Sequence, residues 1–256
     1  MYWIVQENLY KEDAFADLIR ALELSGTDYG IVKVIPFSHE VTPEPTTKDR
    51  IMVNGSTALT FIGQDKGWCV FYNDNFNHRV WVQFMKDDLL NADAIVGGFG
   101  EVNPVWDEFF IRPAEDRKVF AGQIIHKDEF DTWRINTENA HKDGYTTLTP
   151  DTDVVVSPLK NIHSEWRFFV VDGKIVTGSL YKRYGVLYQQ PLLHDDEVLP
   201  YAQKMVDKWQ PDRAFVIDVA STDEGYKVIE YNCMNSCGFY KSDVGKIVNA
   251  IEEMKF

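Results

Sequence analysis

FVIDVASTDEGYKVIEYN, residues 215–232, decides how the rest of the chain is read. Two apolar segments flank Asp223-Glu224-Gly225. A short turn closed by glycine between such segments predicts an antiparallel hairpin, with Gly225 in a left-handed position. Taking Gly225 as the last residue of a three-residue loop pairs Asp218 with Glu230. Asn232, two residues further on, points to the same face. Val216, Ile217, Val219, Val228 and Ile229 mark both strands as largely buried. Two carboxylates facing each other on a buried sheet repel, and each loses hydration. Something positive must compensate. Asp218, Glu230 and the Asn232 amide oxygen form a hard, all-oxygen set suited to Mg²⁺, whose remaining ligands are commonly phosphates and water. The alternative is that this face lies in solvent. The small polar segment NCMNSCG (232–238) fits a site loop better than a continued strand.

Upstream, SEWRFFVVDGKIVTGSLYKR (164–183) reads as another hairpin, turned at Asp172-Gly173 so that Val171 pairs with Lys174. Counting back sets Glu165 opposite Leu180 and Arg167 opposite Gly178, with Glu165, Arg167 and Lys182 on one face. Gly178 would then leave space for a ligand group opposite Arg167. Arginine and lysine together can hold a phosphate or a carboxylate, Arg by bidentate bonding and Lys as a point charge. A surface ion pair between Glu165 and Lys182 is the competing reading.

Before these hairpins the pattern is different. A strand over 3–5 leads into a helix with Phe15, Leu18, Ile19 and Leu22 on one face, stopped at Gly26. A strand over 29–35, a loop with three prolines (36–47), and a strand–helix–strand unit from 51–53 to 69–71 follow. That alternation implies a small parallel sheet flanked by helices. From about residue 86 the order changes to a strand ending at Arg112-Pro113, a helix between Lys127 and His141, and a strand over 153–156. Two further helices are expected, one carrying Val198, Ala202, Met205, Val206 and Trp209 and opened by Asp195 and Asp196, the other burying Val244, Ile247, Val248 and Ile251. The second half is therefore α+β with antiparallel strands.

With 40 acidic against 26 basic residues the net charge is −14, which argues against non-specific binding to nucleic acid or anionic membrane. The three cysteines, Cys69, Cys233 and Cys237, form no disulfide framework and fit a reducing compartment. Neither a signal peptide at MYWIVQE nor a membrane-spanning run is legible, so a cytoplasmic protein without membrane contact is expected. The six histidines stand in no metal-ligand spacing and read as surface or packing residues. No GxxxxGK[ST] loop is present, which argues against a P-loop enzyme.

The two hairpins together resemble the ATP-grasp superfamily, and within it the small RimK-related branch of bacteria and phages. Its hallmark, an Asp followed about a dozen residues later by Glu-x-Asn, is matched by Asp218, Glu230 and Asn232. The resemblance implies a leading α/β domain over 1–86 and an ATP-grasp domain over 87–256, with a small lobe at about 105–156 and a large lobe at about 157–256. The nucleotide would lie between these lobes. It also implies that Arg112, where many relatives have Lys, and Lys118 contact phosphates, and that Ser157 and Leu159 lie at the hinge meeting adenine. Ser157-Pro158 departs from the acidic pattern common there. Glu165 matches the ribose-binding carboxylate and Arg167 an arginine directed at the reacting groups; in the ligase mechanism this suggests, Lys182 would join Arg112 and Lys118 in holding the phosphates.

The implied activity is an ATP- and Mg²⁺-dependent ligase. It would activate a small-molecule or peptide carboxylate as an acyl phosphate, pass it to an amine or thiol, and release ADP and phosphate. A phosphotransferase on the same scaffold and a non-catalytic nucleotide-binding module are the alternatives.

Overall fold

Strand β1 (Tyr2–Gln6), helix α1 (Ala14–Ser25), strands β2 (Tyr29–Val34), β3 (Val41–Thr42) and β4 (Ile51–Asn54), and helix α2 (Thr57–Asp65) form the leading layer. The computed structural model describes residues 1–9, 14–36, 38–47, 49–142, 144, 146–193 and 196–256. β1 pairs in parallel with β2 and β4, and β3 closes one edge antiparallel, giving the order β3-β2-β1-β4. Helix α1 buries Leu18, Ala21 and Leu22 against the sheet and stops at Gly26, whose φ of +70° suits glycine. The strand expected over 69–71 is reduced to one bridge between Met52 and Cys69. A buried N–H must find an acceptor somewhere, and the Phe71 N–H finds the Asn235 side chain at 2.7 Å rather than a ladder partner.

Helix α3 (His78–Met85), which the sequence pattern did not show, is capped by the Asn77 side chain. It buries His78, Trp81 and Met85 at i, i+3 and i+7. Strands β5 (Ile95–Gly98), β6 (Glu108–Pro113) and β7 (Gln123–His126), helix α4 (Lys127–Lys142) and strand β8 (Asp153–Ser157) make an antiparallel layer ordered β5-β8-β6-β7. Phe99, Phe109, Ile111, Phe130, Val154 and Val156 fill its core.

Strands β9 (Ile162–Val171), β10 (Lys174–Arg183) and β11 (Val186–Pro191), helix α5 (Val198–Lys208), strands β12 (Ala214–Thr222) and β13 (Gly225–Cys233), and helix α6 (Val244–Glu252) form the largest layer. Its sheet is antiparallel in the order β11-β10-β9-β12-β13. Strand period 2 divides its residues cleanly between two faces. Phe168, Val170, Phe215, Ile217 and Val219 pack with α5 and α3. Phe169, Val171, Ala214 and Val216 pack with α6, α1 and β1. Along that second face the apolar residues give way to Arg167 and Glu165 on β9 and to Asp218 on β12.

Both hairpins carry bulges that counting from the turn does not reveal. In β9–β10 the pairing slips between Ile175 and Thr177 and again between Leu180 and Lys182. Arg167 therefore faces Ser179, Gly178 faces Phe168, and Glu165 faces Lys182. Gly178 makes no ligand space. A Cβ there would lie 2.8 Å from the Arg167 carbonyl and 2.8 Å from the Phe168 ring, so glycine admits the neighbouring strand. In β12–β13, Thr222 pairs with Gly225 across a two-residue turn, and a slip between Asp218 and Val219 restores the expected Asp218–Glu230 pair. Helix α5 buries the four expected residues from Val198 to Val206. Asp196 does not cap it but accepts from the Leu193 N–H at 2.9 Å, and Asp195 falls outside the described residues. Among the described residues no helix is long and apolar enough to cross a membrane.

Candidate active site

A cleft of about 620 Å³ opens where the second and third layers meet. All ten residues singled out from the sequence lie in or directly behind it. Arg112, Lys118, Ser157, Leu159, Glu165, Arg167, Lys182, Glu230 and Asn232 line it. Asp218 is buried beneath it, with 1% of its surface exposed.

The floor is an ion pair between adjacent strands. Arg167 donates from Nε to Asp218 Oδ1 at 2.9 Å and from Nη2 to Oδ2 at 2.7 Å. Its Nη1 reaches the Gly238 carbonyl at 3.3 Å. The guanidinium also lies 5.1 Å from the Tyr240 ring and 5.8 Å from the Tyr181 ring, which stack on each other. Burial opposes charge on Arg167, but Asp218 outweighs it and holds the group well above its ordinary value. Burial pushes Asp218 up to about 6, with Arg167 resisting and Glu230 adding to the rise. At neutral pH both shifts leave the pair charged.

Asn232 Nδ2 stands 3.1 Å from Glu230 Oε1 and 3.4 Å from Asp218 Oδ2, so the three side chains expected to hold a metal do converge. Arg167 occupies two of the roughly four lone-pair positions a carboxylate offers, and rotating the Asn232 amide turns its oxygen toward the same point. This donor set fits Mg²⁺. Glu165 is likewise held from two sides, by the Tyr181 hydroxyl at 2.8 Å and the Lys182 ammonium at 3.4 Å.

The small-lobe wall supplies cations. Arg112 is buried, and its Nη1 donates to the Pro113 carbonyl at 3.0 Å. Burial draws its guanidinium downward while Glu230 and Asp116 oppose that. Lys118, at φ +51°, donates to the Ser236 carbonyl. Ser157 Oγ is buried at the cleft wall with no partner among the described residues, and Leu159 is exposed at its rim.

Four participants were not legible in the sequence. Asp116 is buried and accepts the Cys233 N–H at 2.8 Å, and burial pushes its carboxyl up to about 6. The available signal was its place between Arg112 and Lys118. Tyr181 and Tyr240 flank Arg167. Asn235, fully buried, bonds the Val53 carbonyl at 2.8 Å and accepts Phe71 N–H, while its own carbonyl takes Gly55 N–H at 2.9 Å. It bolts the segment after β13 to the leading layer. Cys233 and Cys237 are buried thiols, both raised first by burial, Cys237 to about 12. His163 pairs with Asp223 at 2.8 Å.

Residues 76–251 match the model of a family described as an ATP-grasp domain, the third family of its clade. The chain belongs to this ATP-grasp family. With the family comes the reaction class, an ATP-dependent ligase that forms ADP. No curated protein sequence matches the chain. Solved structures share the ATP-grasp fold at low identity. D-cycloserine synthetase DcsG is 11% identical with a TM-score of 0.65, covering 99% of both chains. D-alanine–D-alanine ligase from Bacillus anthracis is 11% identical at TM-score 0.60, covering 98% of this chain and 92% of the other. A RimK-domain ATP-grasp protein from Sphaerobacter thermophilus DSM 20745 is 11% identical at TM-score 0.56, covering 90% of each.

Proposed function

We propose that this ATP-grasp protein activates a carboxylate as an acyl phosphate and transfers the acyl group to an amine or thiol, releasing ADP and phosphate. The observation that carries this reading is the arrangement of charge in one cleft. Two carboxylates, Asp218 and Glu230, with the Asn232 amide beside them, face a cationic set, Arg112, Lys118, Arg167 and Lys182. Such a site suits a polyphosphate and its metal. When bound, Mg²⁺–ATP supplies the phosphoryl group and the charge neutralisation that phosphoryl transfer requires.

The side chains divide the remaining work. Asp218, Glu230 and Asn232 hold the metal. Arg112 and Lys118 orient phosphates from the small lobe and Lys182 from the large one. Backbone groups at Ser157 and Leu159 meet adenine, and Glu165 takes the ribose hydroxyls. Arg167, kept planar on Asp218, directs hydrogen bonds at the reacting carboxylate or phosphoryl oxygens, where charge develops. The substrates are a small-molecule or peptide carboxylate and a nucleophilic amine or thiol, and no protein nucleophile is needed. We place the leading domain at 1–86 and the catalytic domain at 87–256.

Incubation with Mg²⁺–ATP, a pool of carboxylates and hydroxylamine tests the proposal. Accumulation of a hydroxamate with equal ADP and phosphate is expected, because hydroxylamine intercepts acyl phosphates. AMP with pyrophosphate, or a stable phosphorylated product resistant to hydroxylamine, would overturn it.

A further inference from the structure

Arg112 is gripped from behind by a helix that the sequence pattern did not show. His78 and Trp81, one turn apart on α3, present one face to it. His78 Nδ1 lies 3.0 Å from Arg112 Nη2, and the Trp81 ring lies 5.1 Å from the guanidinium carbon. The start of α3 is strapped along the chain just after β6. His78 N–H donates to the Ala114 carbonyl at 2.8 Å, Asp116 N–H donates to the Phe76 carbonyl at 3.1 Å, and Asn77 bridges Glu115. The imidazole is thus fixed relative to the strand end that carries Arg112.

The chemistry of this contact has one solution. A guanidinium has five N–H donors and no acceptor. His78 Nδ1 must therefore accept, with the ring neutral and its proton on Nε2. His78 is fully buried, and burial together with Arg112 lowers it to about 3, which keeps that state at working pH. Trp81 and Arg112 line the cleft. With Nη1 on the Pro113 carbonyl and Nη2 on His78, the plane of the guanidinium is set, Nε is buried, and the second N–H of each terminal nitrogen is left for a ligand.

We infer that His78, seconded by the Trp81 ring, is a positioning residue that fixes the plane of Arg112 for recognition of a nucleotide phosphate. The inference rests on the reading of Arg112 as a phosphate contact. It also gives arginine at this place a physical sense, since a lysine ammonium has no plane to fix.

Calorimetry on the full chain with Mg²⁺ and a non-hydrolysable ATP analogue, and separately with adenosine, provides the test. His78→Leu should weaken the analogue about tenfold, the scale of a lost hydrogen bond to a charged group, and leave adenosine within about twofold. His78→Asn, whose Oδ1 falls near the position of Nδ1, should restore the analogue to within about threefold. In an Arg112→Lys background, His78→Leu should change little, below about twofold. Equal losses in His78→Leu and His78→Asn, or parallel losses for analogue and adenosine, would overturn the inference. So would a His78→Leu effect undiminished by Arg112→Lys. Unchanged analogue affinity in Arg112→Ala refutes the phosphate-contact reading and this inference with it. A loss in Arg112→Ala with none in His78→Leu refutes the inference alone.

Discussion

Replacing Asp218 by Asn should expose how much of the fold leans on the floor of the cleft. Asp218 and Arg167 are paired at 2.7 Å with side chains 2% and 11% exposed. Breaking such a pair by removing one charge costs about 3–5 kcal/mol, because the other charge stays buried. Asn keeps one oxygen for Arg167, and Glu165 and Glu230 remain near, so the low end, about 3 kcal/mol, is expected. That is a large part of the roughly 5–15 kcal/mol by which domains are stable. In a chain of this size it corresponds to a fall in Tm of roughly 6 to 12 °C. Glu230→Gln should behave differently. Glu230 has no cationic partner within bridging distance among the described residues and is half-buried, so its loss should change stability by no more than about 0.5 kcal/mol. Urea unfolding of both variants without nucleotide or metal, followed by calorimetry with ATP in the presence and absence of Mg²⁺, separates the two effects. Both variants should lose Mg²⁺-dependent affinity, and only Asp218→Asn should lose stability. Equal stability of the two would refute the claim that the Arg167 pair, rather than repulsion between carboxylates, dominates the unliganded site.

Other outcomes follow from the same geometry. Glu165→Gln should raise KM for ATP with little change in kcat, whereas Arg167→Lys, which cannot span both Asp218 oxygens, should lower kcat by about 10²-fold or more; steady-state kinetics with both substrates reads the split. Asp116 is raised to about 6 from 3.8, so the native state binds the extra proton and stability falls as pH rises through that window. Unfolding free energies between pH 4 and 7 should show that Asp116→Asn removes a decline on the order of 2–3 kcal/mol. Asn235→Leu strands the buried Phe71 N–H and Val53 carbonyl and should cost about 2–4 kcal/mol by denaturant unfolding, with no comparable loss in surface controls.

The parts legible in the sequence were those encoded locally. Asp172-Gly173 fixed one turn, and the spacing from Asp218 to Glu230 held because a bulge compensated for a turn one residue tighter than expected. The first hairpin shows the reverse. Slips at Val176 and Tyr181 moved Arg167 from Gly178 to Ser179 and brought Lys182 opposite Glu165, yet the three charged residues still line one cleft. Bulges answer to packing, and nothing in residues 174–183 announces them. Asp116, Asn235 and His78 stayed hidden for a different reason. Their decisive partners lie 117, 164 and 34 residues away, so only the folded chain brings them together.

The bolt formed by Asn235 bears on where the protein can be cut. The family match begins at residue 76, which invites expression of that segment alone. Yet Phe169, Val171, Ala214, Val216 and the α6 residues share one continuous core with Trp3, Val5, Leu18 and Leu22. Truncation before residue 76 would bare that apolar face and leave the Asn235 amide without its carbonyl partners. The stretch that can be recognised by descent is thus smaller than the stretch that can fold. Any split, fusion or permuted version of this enzyme has to carry β1, α1 and β4 with it.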